Sequence, residues 1–335
     1  MKAIVYTTSG GPDVLTLTDR PVPEPGPGEV RVKVRVSGVN PTDWKSRQGT
    51  EPERPQVPNQ DGSGVIDAVG AGVPAERVGE RVWLWESAHR RPDGTAQEVT
   101  TVPARQAVPL PDRASFDLGA SIGVPAITAH RALTVAEYGP TRLAPGALDG
   151  RTVLVAGGAG AVGNAAIQLA RWAGATVITT VSGPEKAALA TAAGAHHVVN
   201  YREQDAAAEI RRIAPDGVHI VVEVAPGHNA ELDAAVTANN AVIAFYADDS
   251  QEFVAPVRYS MFANLRWQGL LLYTVPDEAK DEAVAAITAA LADGALRAGP
   301  EVGLPFHRFP LERTAQAHEA VRDGAVGKVL IDVAP

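Results

Sequence analysis

The chain has 335 residues, 45% apolar and 21% charged, with a formal net charge of −9; that is length for about two globular domains, and without a dense Lys/Arg run it lacks the electrostatic footprint of a nucleic-acid binder. The absence of cysteine excludes disulfides, thiolate nucleophiles and cysteine metal sites together. No apolar run approaches the ~20 residues of a membrane span, and the opening MKAIVYTTSG lacks the apolar core of a signal peptide, so a cytoplasmic protein is expected.

Residues 1 to about 125 read as strands and turns. Ala3–Tyr6 is a short strand, Gly10-Gly11-Pro12 turns the chain, and Val14–Leu17 is a second strand. The proline-rich stretch Pro21–Gly28 is not helix, because each proline removes a donor and biases its predecessor to extended backbone. Val30–Val36 alternates apolar and polar residues, the mark of a half-buried strand. Asp117–Leu133 reads as a helix interrupted near Gly123 and Pro125, a plausible join between domains.

From Arg151 strands and helices alternate. Val153-Leu154-Val155 is a buried strand, followed at once by Gly158-Ala159-Gly160-Ala161-Val162-Gly163 and a helical pattern through Ala173. Strand, glycine turn and helix in that order make G-x-G-x-x-G a dinucleotide signature rather than a chance match. Gly158 is expected to permit the tight turn, Gly160 to let backbone approach a pyrophosphate, and Gly163 to let helix pack on strand. The N–H groups of Ala161 and Val162 then face the phosphates at a helix N-terminus. The second strand, Thr176–Val181, ends without the Asp or Glu that grips the ribose of NAD. Ser182 instead offers a hydrogen bond to a 2′-phosphate and Lys186 a charge from the next helix's first turn, although a lysine there also suits a solvated surface. The combination favours NADPH over NADH.

Helices at Pro184–Ala193, Asp205–Ile213 and Asn229–Val236 alternate with strands at His197–Val199, His219–Val224 and Ala241–Phe245. This βαβα rhythm predicts an α/β domain with a doubly wound parallel sheet. Phe245 falls at the carboxyl edge, where nucleotides bind in such sheets. Trp267–Tyr273 is another strand, Asp277–Leu291 the last long helix, and Pro300–Val333 returns to short strands that rejoin the first module.

Seven separated stretches, SGVNPTDWKSRQG (37–49), DGSGVIDAVGAGV (61–73), VGERV (78–82), GASIGVPAITAHRAL (119–133), the glycine turn with its helix, GAHHVVNYREQD (194–205) and FPLERTAQAHEAV (309–321), together resemble the zinc-independent medium-chain dehydrogenase/reductases, within them the quinone oxidoreductase (zeta-crystallin-like) group. The resemblance implies a GroES-like β-rich catalytic domain from residues 1–125 and 275–335, and a Rossmann NADPH-binding domain from 126–274. It also implies homodimers pairing through the sheet edge near Trp267–Tyr273, which would otherwise be left open.

Where zinc-using relatives place their first ligand cysteine the chain has Asn40, and near the histidine position it has Gln60. Only Asp61 is a carboxylate there, and a tetrahedral thiolate or imidazole set cannot be assembled, so no metal is expected. His196 and His197 suit a polar strand mouth better than a ligand pair. In the resembling group the asparagine matching Asn40 and the threonine matching Thr128 hold the nicotinamide ribose and ring, and the tyrosine matching Tyr201 packs on or bonds the 2′-phosphate end. On local sequence alone Asn40 reads as a turn residue before Pro41, Thr128 as a packed helix residue, and Tyr201 as a strand-end aromatic. Tyrosines of the group's acceptor pocket are replaced here by Lys45 and, approximately, Glu51. Trp44, Trp83 and Trp85 could wall a flat pocket, with 85–93 as a loop over it, although tryptophans more often serve a core. The implied activity is hydride transfer from NADPH to a quinone. An activated alkene (enoyl or 2-alkenal) is the alternative acceptor, and a non-catalytic structural or RNA-binding role, disfavoured by charge, is the alternative outside enzymes.

Overall fold

The structure, a computed structural model, describes residues 1–248, 250 and 252–333. The chain divides into two compact units, Met1–Val124 with the chain from Pro305 onward, and Pro125–Leu304.

In the first unit β1 (Lys2–Val5) and β2 (Thr16–Asp19) pair antiparallel. The second strand begins two residues later than the sequence pattern suggests, because Pro12–Val14 closes a 3-10 turn first. Then follow β3 (Glu29–Val39), α1 (Pro41–Gly49), β4 (Asp61–Val69), β5 (Arg81–Leu84), β6 (Val99–Pro103) and β7 (Ala107–Pro109). Val30, Val32 and Val34 of β3 are buried while Lys33 between them is exposed, as strand alternation requires.

Helix α2 (Phe116–Thr134) runs unbroken through Pro125, so the expected interruption is absent. The proline removes the donor to the Ser121 carbonyl without ending the helix. The preceding residue, Val124, has its N–H held by Asp61 Oδ1 at 2.8 Å. Gly123 is required just there, since a Cβ would stand 2.2 Å from the same carboxylate.

The second unit continues with β8 (Thr152–Ala156), α3 (Ala161–Trp172), β9 (Thr176–Val181), α4 (Pro184–Ala192), β10 (His197–Asn200), α5 (Ala206–Ile213), β11 (Val218–Glu223), α6 (Pro226–Val236), β12 (Thr237–Phe245), α7 (Val257–Ala263), β13 (Arg266–Gly269) and α8 (Asp277–Ala292). The strands form one parallel sheet in the order β10-β9-β8-β11-β12-β13. The direction of strand progression reverses between β8 and β11, and ligands of such sheets bind outside the carboxyl ends at that point. The edge strand β13 stops at Gly269, short of the expected Tyr273, because Leu272–Thr274 turns into a 3-10 helix.

Residues 275–304 pack in this second unit, not with the first as the resemblance suggested. The alanine-rich face of α8 is buried, Asn164 Nδ2 of α3 donates to the Val302 carbonyl at 2.7 Å, and Gln168 Nε2 donates to that of Arg297 at 3.0 Å. The return to the first unit begins at Pro305, with β14 (Phe306–Pro310), α9 (Thr314–Arg322) and β15 (Lys328–Asp332). There β15 joins β3 antiparallel, completing a seven-stranded sheet in the order β14-β15-β3-β4-β5-β7, with β6 on β3. Among the described residues no helix is long and apolar enough to cross a membrane.

Candidate active site

The glycine turn lies between β8 and α3, and its glycines differ in what the fold asks of them. The left-handed backbone falls on Gly157 (φ +68°), not on Gly158 as expected. A Cβ on Gly158 would stand 2.1 Å from Thr179 Oγ1, and one on Gly163 would stand 2.5 Å from the Gly157 carbonyl. These two glycines therefore let turn, strand and helix close on one another. Gly160 differs: its φ of −81° suits any residue, and a Cβ there would meet only the Gly157 carbonyl, at 3.5 Å. Nothing in the unit itself requires a glycine at 160. The first N–H groups of α3, at Ala161 and Val162, have no preceding helical turn to bond and carry the positive end of the helix dipole.

At the next strand end the N–H of Tyr201 donates to the Val181 carbonyl at 3.1 Å, which sets Tyr201 beside Ser182. The Tyr201 side chain is exposed, and Lys186 stands in the first turn of α4. The sheet thus brings Ser182, Lys186 and Tyr201 to one carboxyl edge. Phe245 ends β12, its ring edge-on to Phe253 at 5.3 Å, and Gly269 leaves room beneath that ring, since a Cβ would approach it to 3.2 Å. Thr128 is buried in the second-unit part of α2.

The first unit contributes a buried polar cluster. Lys328 Nζ donates to Asn40 Oδ1 at 2.7 Å and faces Asp61 Oδ2 at 3.5 Å, and Asn40 Nδ2 donates to the same Asp61 oxygen at 2.7 Å. The Asn40 N–H donates to Asp43 Oδ2 at 2.7 Å as the capping box that starts α1, and the Gln60 N–H donates to the other Asp43 oxygen at 3.1 Å. Burial pushes the Asp43 carboxyl up to about 8, against the pull of those N–H groups, while the neighbouring Asp61 carboxylate adds to the rise. Burial also raises Asp61 and lowers Lys328, each opposed by the other's charge.

Both polar ends of the Asn40 side chain are therefore occupied within the protein. Its expected part in holding a nicotinamide ribose is not evident from this geometry, which makes it a pin between β3, β4 and β15. Gln60 Oε1 likewise accepts from the Ala88 N–H at 3.1 Å. Neither amide is an arrangement suited to zinc, and among the described residues no group of three or more His, Asp or Glu side chains could hold a metal ion.

The tryptophans separate. Trp83 and Trp85 are core residues, with the Arg105 guanidinium 5.5 Å from the Trp85 ring centre. Trp85 is thus no pocket wall, and the stretch after it is anchored where Ser87 N–H donates to the Gln60 carbonyl at 3.0 Å. Trp44 is half-buried, with its indole nitrogen inside, and Lys45 is exposed, with the ammonium 5.8 Å from the Trp44 ring centre.

Two family models match, an alcohol dehydrogenase GroES-like domain over residues 26–112 and a zinc-binding dehydrogenase domain over residues 161–289. The chain is 32% identical to the quinone oxidoreductase of Lama guanicoe over 99% of its own length and 97% of that protein's. Its fold is similar to a solved NAD-dependent alcohol dehydrogenase (TM-score 0.85, 29% identity, 100% of both chains covered). It is similar also to the quinone oxidoreductase of Thermus thermophilus, solved alone and with NADPH (TM-score 0.79, 30% identity, 99% of this chain and 100% of that one).

Proposed function

The chain belongs to the quinone oxidoreductase-type family of medium-chain dehydrogenases/reductases, and from that premise we propose that it is an NADPH-dependent enzyme transferring hydride to a quinone-type acceptor. The observation that carries the reading is the open cradle at Gly160, with Ser182, Lys186 and Tyr201 gathered at the neighbouring strand ends. When bound, NADPH supplies the hydride from its nicotinamide C4. The residues of the second unit would bind and orient it: the Ala161 and Val162 N–H groups would take the diphosphate, and Ser182, Lys186 and Tyr201 the 2′-phosphate end. Thr128 and Phe245 would be further contacts for the nucleotide. Reduced quinone oxygens take protons from water, so the reading asks no side chain for a proton.

Cofactor choice is tested at Lys186. Lys186→Ala is expected to weaken NADPH by roughly 1–3 kcal/mol, the scale of a lost charge-assisted bond, and to leave NADH nearly unchanged. Fluorescence titration with both cofactors measures this; equal losses would remove Lys186 from the 2′-phosphate site. Acceptor choice is tested by NADPH consumption over a panel of quinones and 1,4-enones. Faster turnover of quinones supports the reading, and faster turnover of enones would replace it with an activated-alkene reductase.

The reading includes a homodimer paired along β13. Beside that edge Val257, Met261 and Phe262 of α7 and Leu271 are 70%, 74%, 74% and 57% exposed, a contiguous stretch of chain rich in uncovered apolar side chains. Phe262→Glu is expected to shift sedimentation from dimer to monomer, and an unchanged dimer would place the interface elsewhere.

A further inference from the structure

The carboxyl ends of the second unit's strands hold an acid pair to which the reading above gives no role. Glu223 closes β11, in register with Phe245 of β12, and Asp233 projects from α6; they are 0% and 1% exposed. Glu223 Oε1 accepts from the Ala225 N–H and from Asn229 Nδ2 at 3.0 Å. Glu223 Oε2 and Asp233 Oδ2 have no hydrogen-bond donor from any described residue. The two carboxyl groups meet within hydrogen-bonding reach of each other. Two carboxylates have no hydrogen to share, so this contact requires a proton. Tyr246, whose N–H donates to the Glu223 carbonyl at 3.1 Å, is a further titratable group that feels Glu223 among the described residues, and burial together with the Glu223 charge keeps its hydroxyl neutral.

We propose that Asp233 is a positioning residue for the cofactor, sharing one proton with Glu223 so that the singly protonated pair, carrying one negative charge in place of two, holds the Val224–Ala225 turn against the glycine cradle. The inference rests on the cofactor reading above. Its mechanical link is short: Glu223 holds the Ala225 N–H, and the Val224 side chain would lie 3.1 Å from a Cβ on Gly157. Burial raises both carboxyls, Asp233 well above its ordinary range with the Glu223 charge adding to the rise. Loss of the shared proton would set two negative charges side by side, beside a site for an anionic ligand. The sign follows: a raised acid favours the protonated state, so cofactor affinity is full at low pH and falls as pH rises through the titration of the pair.

The experiment titrates NADPH against the wild type and Asp233→Asn across pH, with infrared spectra of both proteins in the absence of cofactor. The amide introduced by Asp233→Asn would donate to Glu223 at every pH. The wild-type Kd is expected to rise about tenfold over the range in which a protonated-carboxyl band disappears, the effect of a one-unit pKa difference between free and bound protein. Asp233→Asn should lack the pair's part of that band, leaving only what the buried Asp43 and Asp61 carboxyls give in both proteins, and show a flat Kd profile. Parallel Kd profiles, or a wild-type-minus-variant difference spectrum with no protonated-carboxyl band, would overturn the proposal. A shared-proton band with no NADPH binding at any pH would instead defeat the cofactor reading, and the positioning role with it. Should Asp233→Asn fail to fold, Glu223→Gln is expected to give the same flat profile, and a wild-type profile from it would also overturn the proposal.

Discussion

Gly160→Val is expected to abolish saturable NADPH binding in a protein that still folds. The backbone at 160 is extended and a Cβ would make only an ordinary contact with the Gly157 carbonyl, so the substitution costs the fold little. A branched side chain would nonetheless fill the volume the diphosphate needs above the first N–H groups of α3. A loss of at least about 100-fold in affinity, roughly 2.7 kcal/mol, is the smallest effect consistent with that placement. The neighbouring glycines give the contrast. Substitution at Gly158 or Gly163 meets Thr179 or the Gly157 backbone and should damage folding as well as binding. Far-UV circular dichroism and a fluorescence titration on the same sample separate the cases. A folded Gly160→Val protein with near-normal affinity would move the diphosphate elsewhere.

Lys328→Met is expected to cost about 3–5 kcal/mol of stability in the first unit, the scale of breaking a buried ion pair by removing one partner. Lys328 is 1% exposed, Asp61 is fully buried, and Asp43 lies close enough to feel both charges. Methionine preserves much of the stem's packing and removes the ammonium, leaving buried carboxyls without a cation. Their pKa values would then rise further above the unfolded value near 3.8. An acid whose folded pKa is raised costs stability at high pH and none below its unfolded pKa, so the deficit of the variant should shrink as pH falls. Denaturant midpoints of both proteins from neutral to acidic pH test this, and a pH-independent deficit would mean that lost packing, not charge, is responsible.

The sequence made the second unit legible because its signals are local. An apolar strand, a glycine turn and a helix in that order specify the cradle, and the absent acid after Val181 points to the phosphorylated ribose. What it hid depends on long-range packing. Lys328 reads as a strand-end lysine bound for solvent, yet Val329, Leu330 and Ile331 after it are all buried, and that run is the one sign that β15 is central. Glu223 gave a similar sign, an acid closing the apolar run HIVV, but its partner Asp233 comes from a helix whose periodicity does not mark it. Asn40 is legible as a special position, but the bonds its amide makes to Lys328 and Asp61, which lie far away in sequence, are not. Trp85 followed the common fate of tryptophan in a core. That 275–304 belongs to the second unit is not legible in the sequence, because the anchoring bonds of that segment go back to Asn164 and Gln168.

The most direct test of the account is an equilibrium titration of the wild-type protein with NADPH and NADH in parallel. The account predicts saturable binding of NADPH, at one site per chain, tighter than NADH by the roughly 1–3 kcal/mol that a charge-assisted contact to the 2′-phosphate supplies. No saturable binding of either, or tighter binding of NADH, would contradict it.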